Sequence, residues 1–188
     1  MPYPRLRTPS LPPGLRARVR ELDRRASAWF TPVVKWTVYL SIAFFLLRVI
    51  VPVDNGWITM FGASPESTIF HARLWQLLTY ALLHDRDSIT HILFNLLALW
   101  FFGIRLESSW GSTRFLRLCV STAAGAALVH IATTLLFVGI GLAPEAGLKS
   151  YIIGLSGVIY GILTTYALLH PHDTVLFFGL LPMKVRTL

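Results

Sequence analysis

The sequence predicts an all-α fold: a polytopic transmembrane helical bundle of four spans plus the start of a fifth. Composition is the first observation behind this prediction, because 54% of the 188 residues are hydrophobic and only 14% are charged, whereas about a quarter of the residues in a soluble domain are charged. The second is the grouping of apolar residues into runs close to the ~20 residues that a bilayer core demands. The third is a strongly basic N-terminus, since Lys and Arg collect on the cytoplasmic side of membrane proteins.

The four predicted spans cover residues 36–53, 89–106, 115–140 and 151–169, and a short apolar run after residue 173 is the predicted start of a fifth. Residues 54–88 form a long connection rich in aromatic and apolar side chains, which predicts a partly helical segment folded back onto the bilayer. Arg48 lies near the end of the first span, where its side chain is expected to snorkel outward. Small residues at 121–127 predict the close approach of another helix.

The distribution of charge predicts the orientation of the chain. Residues 1–35 are expected to form a basic cytoplasmic segment, and residues 36–188 the membrane domain. With the N-terminus inside, the cytoplasmic segments carry thirteen Lys and Arg residues and the outer loops carry three, as the positive-inside rule requires. The prediction is a multi-pass integral membrane protein, expected in a bacterial inner or plasma membrane, with the lipid bilayer and not nucleic acid as a partner. An organelle presequence stays open, although Glu21 and Asp23 disfavour it.

No metal or other cofactor is expected from the sequence. The single cysteine, Cys119, excludes an intrachain disulfide and a cysteine-based zinc site. His84, His170 and His172 are interpreted as loop or interface residues, because no zinc-like spacing of ligands is present.

Polar residues inside the predicted spans are the candidates for function, since burying them in lipid is costly. The second span contains His91 and Asn95, four residues apart and therefore on one helix face. The fourth contains Ser156, with glycines on either side at Gly154 and Gly157. Each has a structural interpretation: His and Asn can hydrogen-bond between helices, and glycines four apart form a small-residue packing face.

Taken together, these groups are the ones that acyl transfer requires. A serine oxygen can act as a nucleophile when a base activates it, and His and Asn side chains can donate to the oxyanion of a tetrahedral intermediate. The pattern is not the nucleophile elbow of α/β-hydrolases, because Val158 occupies the position where that motif has glycine.

Three segments carry a resemblance to a known family: HILFNLLALWFFGIRLE at 91–107, WGSTRFL at 110–116 and GLSGVIYG at 154–161. From about Trp75 to Tyr160 the chain resembles the rhomboid intramembrane serine proteases. The resemblance implies a rhomboid-like fold and cleavage of transmembrane protein substrates. It assigns Ser156 as the catalytic nucleophile and His91 and Asn95 as the oxyanion donors. It also implies that Tyr160 packs against the catalytic histidine and that Glu107 braces the turn after the second span.

The chain departs from the family pattern in two places. The family's first outer loop usually carries Trp-Arg, whereas Gln76 follows Trp75 here, which is expected to loosen that loop. The family's general-base histidine lies on the sixth core span, and no such histidine precedes Leu188. The chain is therefore expected to be a fragment or truncated product that is inactive as a protease by itself, with His130 left as a weak alternative base.

Two other classes of function stay open on the sequence. The main rival is a non-catalytic rhomboid-like membrane protein that binds transmembrane clients, although such a protein has no need of the motif around Ser156. A small transporter or channel is disfavoured, because Arg48 and His130 are too few to line an ionisable path.

Overall fold

The structure is a computed structural model that describes Gly14 and residues 30–51, 56–177 and 181–184. Most of the predicted basic segment, residues 1–35, lies outside the described residues. The helices are α1 (Pro32–Ile50), α2 (Gly56–Phe61), α3 (Gln76–Thr79), α4 (Ile89–Ala98), α5 (Ile104–Trp110), α6 (Ser112–Gly139) and α7 (Ser156–Leu169). Shorter turns complete the chain: π-helical at Pro65–Phe70 and Leu99–Gly103, and 3-10 at Tyr80–Leu82 and Glu145–Lys149.

Three helical stretches in the described part of the chain are long and apolar enough to cross a membrane. They are α1, the continuous stretch Ile89–Trp110 that joins α4 to α5 through a π-helical turn, and α6. Helix α1 begins at Pro32, four residues earlier than predicted, because proline suits the first turn of a helix, where its missing N–H would have no acceptor. The predicted polytopic helical bundle is confirmed.

The fourth predicted span corresponds to α7, which has 14 residues and is therefore ~21 Å long. It was predicted to begin at Tyr151, but the helix begins at Ser156. The preceding residues are not helical, because Ile152 exchanges backbone hydrogen bonds with Ala63, at 3.2 and 2.9 Å, in an isolated antiparallel bridge. Gly154 then takes a φ of 108°, which turns the chain into α7.

The region predicted as the start of a fifth span has a different structure. Strand β1 (Thr174–Phe177) pairs antiparallel with β2 (Leu181–Lys184), with Thr174 opposite Lys184. These described residues are therefore not helical, in contrast to the start of a fifth span expected from the apolar run. Pro182 offers a physical reason, because proline lacks the N–H that a helix interior needs and clashes with the preceding turn.

The long helices pack through small residues and a continuous apolar core. A Cβ added to Gly103 would lie 3.0 Å from Val34 Cγ2, so α1 approaches the π-helical turn closely. A Cβ on Gly157 would lie 2.6 Å from Ala126 Cβ, and one on Gly161 would overlap Thr122. These contacts confirm the small-residue face predicted between α6 and α7. The core around them includes Leu106, Phe115, Ile162 and Tyr166.

Glu107 fastens the end of α5 to the start of α1. Its Oε1 accepts hydrogen bonds from the Val33 N–H (2.9 Å) and the Ser112 hydroxyl (2.7 Å), and its Oε2 accepts one from the Val34 N–H (3.0 Å). The first N–H groups of a helix have no acceptor inside it, and Thr31 makes no side-chain cap here. The buried carboxylate takes that role. The predicted bracing of the turn by Glu107 is confirmed and extends to α1.

Replacing Glu107 with Ala is expected to destabilise the bundle by roughly 2–4 kcal/mol, because buried N–H groups on Val33 and Val34 would lose their acceptors. Glu107→Gln should cost less, since its amide oxygen still accepts. The measurement is unfolding of the purified chain in detergent, with the exposed Glu145→Ala as the matched control. Equal stability of Glu107→Ala and the parent chain would contradict this role.

Candidate active site

Ser156 is the first residue of α7, and the residue is exposed. Within the described part of the chain this hydroxyl makes no hydrogen bond. The N–H groups in the first turn of a helix have no intrahelical acceptor and carry the positive end of the helix dipole. Ser156 therefore combines a free hydroxyl with backbone donors suited to a developing negative charge.

His91 and Asn95 lie on α4 and face the turn that leads to Ser156. A Cβ built on Gly154 would lie 2.7 Å from His91 Nε2 and 3.9 Å from Asn95 Nδ2. Both side chains thus pack against the residue two positions before the serine. Asn95 is buried, and its Nδ2 donates a 3.0 Å hydrogen bond to the His91 carbonyl; its second N–H has no acceptor among the described residues. The structure brings the three residues predicted from sequence to one place.

Gly154 is required at this position for two independent reasons. Its φ of 108° is a backbone conformation that residues with a side chain rarely adopt. A side chain would also collide with the His91 ring. The glycine therefore allows the turn into α7 and the close approach of the imidazole at the same point.

Tyr80 holds the turn before Ser156 in place, a role that the sequence did not reveal. Its carbonyl accepts the Gly154 N–H at 2.9 Å, and its hydroxyl donates to the Ala123 carbonyl on α6 at 3.0 Å. The side chain is 2% exposed, and burial raises the pKa of Tyr80 to about 12. The phenol therefore stays protonated at neutral pH and remains a hydrogen-bond donor.

His84 was interpreted as a loop or interface residue, but it is completely buried beside His91. The two ring centroids are 5.3 Å apart with an angle of 60° between the planes. Its Nδ1 lies 3.3 Å from the Leu82 carbonyl oxygen, and its Nε2 has no hydrogen-bond partner among the described residues. Burial, the His91 ring and Arg48 lower the pKa of His84 to about 4. It is neutral at physiological pH.

Arg48 was expected to snorkel outward, and this expectation is wrong. The side chain is 5% exposed, and its Nη1 donates to the His84 carbonyl. The end of α1 packs against the loop before α4, so the Arg48 guanidinium reaches a backbone carbonyl and does not need to extend to water. An arginine inside an apolar run indicates that its guanidinium needs a hydrogen-bond acceptor. Which group accepts is decided by the tertiary structure.

The expected loosening of the outer loop by Gln76 is not found. Gln76 is fully buried, and its Oε1 accepts hydrogen bonds from the hydroxyls of Ser67 and Thr68. Its Nε2 donates to the carbonyls of Thr59 (2.8 Å) and Met60 (3.3 Å). One amide provides both donors and acceptors, whereas an arginine provides donors only. The loop is therefore closely bonded around glutamine.

Two further histidines of the described residues, His130 and His170, have other contacts. His130 Nε2 lies 2.9 Å from the Ser150 carbonyl oxygen, in the loop before α7. The His170 ring stacks on Tyr166 with centroids 4.6 Å apart. Neither contact involves Ser156. Tyr160 lies four residues after Ser156, on the same face of α7, and is 72% exposed.

The comparisons with known proteins identify the family of the chain. The family model described as Rhomboid domain matches residues 71–188, well over half of the sequence. The chain belongs to the rhomboid family. It is 40% identical over 84 residues to rhomboid protease GluP of Bacillus subtilis, which covers 42% of this chain and 16% of that protein.

Two further relatives match over longer stretches. Rhomboid-like protein 16, chloroplastic, of Arabidopsis thaliana is 28% identical over 155 residues, or 79% of this chain and 47% of its own. Rhomboid protease GlpG of Yersinia enterocolitica is 29% identical over 132 residues, or 70% of this chain and 41% of its own. The chain thus spans less than half the length of these relatives. The membership and the apolar helices define an integral membrane protein of the rhomboid family.

Substitution of Gly154 by Ala is expected to destabilise the bundle by about 1–3 kcal/mol, the usual cost of a strained backbone conformation, and to displace the His91 ring. Thermal unfolding in detergent measures the first effect. Gly125→Ala on α6 is the matched control, because a Cβ there meets no atom within 4 Å. The role assigned to Gly154 is wrong if the two variants unfold at the same temperature.

Acidification is expected to destabilise the protein through His84. In the unfolded chain a histidine has a pKa of about 6.5, whereas burial lowers the folded pKa of His84 to about 4. Between these values the unfolded state binds more protons, so stability is full above pH ~6.5 and falls as the pH approaches 4. Unfolding temperatures from pH 7.5 to 4.5 should fall less steeply for His84→Gln than for the parent chain. The exposed His172→Gln should follow the parent, and identical slopes for all three would refute the assignment.

Proposed function

We propose that this protein is a rhomboid-type intramembrane serine endopeptidase that cleaves transmembrane protein substrates. Ser156 acts as the nucleophile, and His91 and Asn95 stabilise the oxyanion. The observation that carries the proposal is the packing of both side chains against Gly154, two residues before a serine at the start of α7. Two of the similar proteins are named rhomboid proteases, which supports the same assignment.

The proposed chemistry is acyl transfer in two halves. The Ser156 oxygen attacks the carbonyl carbon of the scissile peptide bond while a base takes its proton, and the carbonyl oxygen becomes an oxyanion. The donors available to this oxyanion are an imidazole N–H of His91, the second N–H of Asn95 and the first backbone N–H groups of α7. Collapse of the intermediate transfers the proton to the leaving amine, and water then hydrolyses the acyl-enzyme. The scheme requires no cofactor.

The described residues supply the nucleophile and the oxyanion donors. No histidine among them has a hydrogen bond to the Ser156 hydroxyl, and His130 is engaged at the Ser150 carbonyl. We therefore assign the role of general base to a histidine other than those described. A family expectation places such a histidine on a later core span.

The position of Ser156 suits a protease that acts on membrane proteins. Water must reach the acyl-enzyme, yet the substrate segment arrives through lipid. A serine at the first residue of an apolar helix lies close to a membrane surface while the rest of that helix extends into the bilayer. The exposure of the residue suits a hydroxyl that must meet both a substrate and water.

The orientation follows from charge within the same proposal. We assign residues 1–35 to the cytoplasmic side and residues 36–188 to the membrane domain, because thirteen Lys and Arg residues then fall inside and three outside. In this arrangement α6 runs outward and α7 runs inward. Ser156 then faces the outer surface of the membrane, a bacterial inner or plasma membrane in this proposal.

Labelling with a serine-directed fluorophosphonate tests the proposal on the natural full-length protein in membranes. The probe is expected to label Ser156, and Ser156→Ala should abolish labelling with little change in folding, because only an exposed hydroxyl is removed. His91→Ala and Asn95→Ala should each lower kcat for a transmembrane substrate by about 10²–10³-fold, as removal of an oxyanion donor does.

The control variant is His130→Ala, which should retain labelling because His130 Nε2 is held by the Ser150 carbonyl. Loss of labelling in this variant alone would move His130 to the position of base. Equal labelling of Ser156→Ala and the parent protein would exclude Ser156 as nucleophile. It would favour the rival function, a non-catalytic rhomboid-like protein that binds transmembrane clients.

A further inference from the structure

A cavity of about 640 Å³ lies between the connection over residues 56–88, called the outer connection, and the loop that precedes α7. The outer connection contributes Thr59, Glu66, His71 and Arg73, and the loop contributes Lys149 and Tyr151. None of the residues assigned to peptide hydrolysis lines this cavity. Its function therefore needs a separate explanation.

The charges around the cavity leave an excess of positive charge. Lys149 Nζ lies 3.8 Å from Glu66 Oε1, a long ion pair in which the lysine side chain is 71% exposed. Arg73 has no carboxylate partner within ion-pair distance in the described residues. Its Nη1 donates a 2.8 Å hydrogen bond to the Thr59 carbonyl, which fixes the guanidinium and uses one of its five donors. A fixed, unpaired guanidinium favours an anion with several acceptor oxygens.

Exposed apolar residues lie next in sequence to residues that line the cavity. Phe70, Leu74 and Trp75 are 62%, 60% and 50% exposed, next to the lining residues His71 and Arg73. The indole N–H of Trp75 keeps a hydrogen-bond partner in the Met60 carbonyl, 2.9 Å away. An amphipathic tryptophan beside basic residues is typical of the boundary between headgroups and acyl chains. Beside these exposed apolar side chains, an anion that carries acyl chains fits this cavity better than a soluble anion does.

We propose that this cavity binds the phosphate group of a phospholipid headgroup. Arg73 donates charge-assisted hydrogen bonds to the phosphate oxygens. Lys149 adds a second positive charge by turning from Glu66, which is possible because their ion pair is long and exposed. The acyl chains lie along Phe70, Leu74 and Trp75.

Binding of the phosphate would join two segments of the chain, one of which leads to Ser156. Arg73 belongs to the outer connection, and Lys149 to the loop that reaches the Ala63–Ile152 bridge and then Ser156. A phosphate held by both residues would fasten these segments together. Lipid is therefore expected to raise the unfolding temperature, a readout that does not depend on protease activity.

The experiment measures thermal unfolding of the purified full chain in a neutral detergent. A short-chain phosphatidylglycerol, a diacylglycerol of the same chain length, inorganic phosphate and a glutamate-rich peptide are each titrated in separate arms. Phosphatidylglycerol is expected to raise the unfolding temperature in a saturable way. Diacylglycerol lacks the phosphate and inorganic phosphate lacks the chains, so both should bind at least about tenfold more weakly, which corresponds to 1.4 kcal/mol.

Single-residue variants locate the binding site. Arg73→Gln should weaken phosphatidylglycerol binding about tenfold, as loss of a hydrogen bond to a charged group does. Lys149→Gln should weaken it about threefold, and because the side chain is exposed this substitution should leave folding unchanged. Glu66→Gln should strengthen binding, because it removes the carboxylate that repels phosphate and competes for Lys149. The exposed Arg86→Gln is the matched control and should bind like the parent chain.

Unchanged affinity in both Arg73→Gln and Lys149→Gln would overturn the proposal. Equal binding of inorganic phosphate would show a site for free phosphate and overturn the lipid assignment. Equal protection by the glutamate-rich peptide would identify the cavity as a site for acidic peptides instead. Each result stands whether or not Ser156 is a nucleophile, because none of these arms measures proteolysis.

Discussion

The geometry around Ser156 depends above all on the hydrogen bonds of Tyr80. Its carbonyl fixes the Gly154 N–H and its hydroxyl fixes the Ala123 carbonyl, so one residue joins the outer connection, α6 and the turn into α7. The buried phenol is protonated at neutral pH, so its hydroxyl can donate. The turn then presents Gly154 to His91 and starts α7 at Ser156. Without that support, the strained turn would have little to hold it against the imidazole.

The same demand for paired polar groups explains the rest of the bundle. Water cannot satisfy backbone or side-chain donors in lipid, so the chain must provide the partners itself. Glu107 does so for the first N–H groups of α1, and Gln76 does so for the outer connection. Arg48 reaches the His84 carbonyl for the same reason. The partners of Glu107 and Arg48 lie far away in the sequence, so these two residues join separate segments, whereas Gln76 bonds within the connection itself.

The predictions that succeeded depended on local patterns. Apolar runs of sufficient length gave the first three spans, and glycines and alanines at helical spacing gave the contact between α6 and α7. The resemblance supplied the bracing role of Glu107. Two errors concerned residues whose state is decided by another element of the fold: His84 packs against the His91 ring on α4, and Arg48 on α1 donates to the His84 carbonyl. The hairpin at β1 and β2 formed where an apolar run suggested a helix, because hydrophobicity alone does not distinguish the two.

The sequence by itself determined that this protein is a helical membrane protein with His91, Asn95 and Ser156 as its candidates for chemistry, because span length and polar residues at membrane depth are visible in one dimension. Only the tertiary structure decided that Tyr151–Leu155 is not helical and that α7 begins at Ser156. It did so because Ile152 pairs with Ala63 and the Gly154 N–H binds the Tyr80 carbonyl, hydrogen bonds between segments more than seventy residues apart. The contact of His91 with Gly154 depends on that arrangement, and no local pattern specifies it.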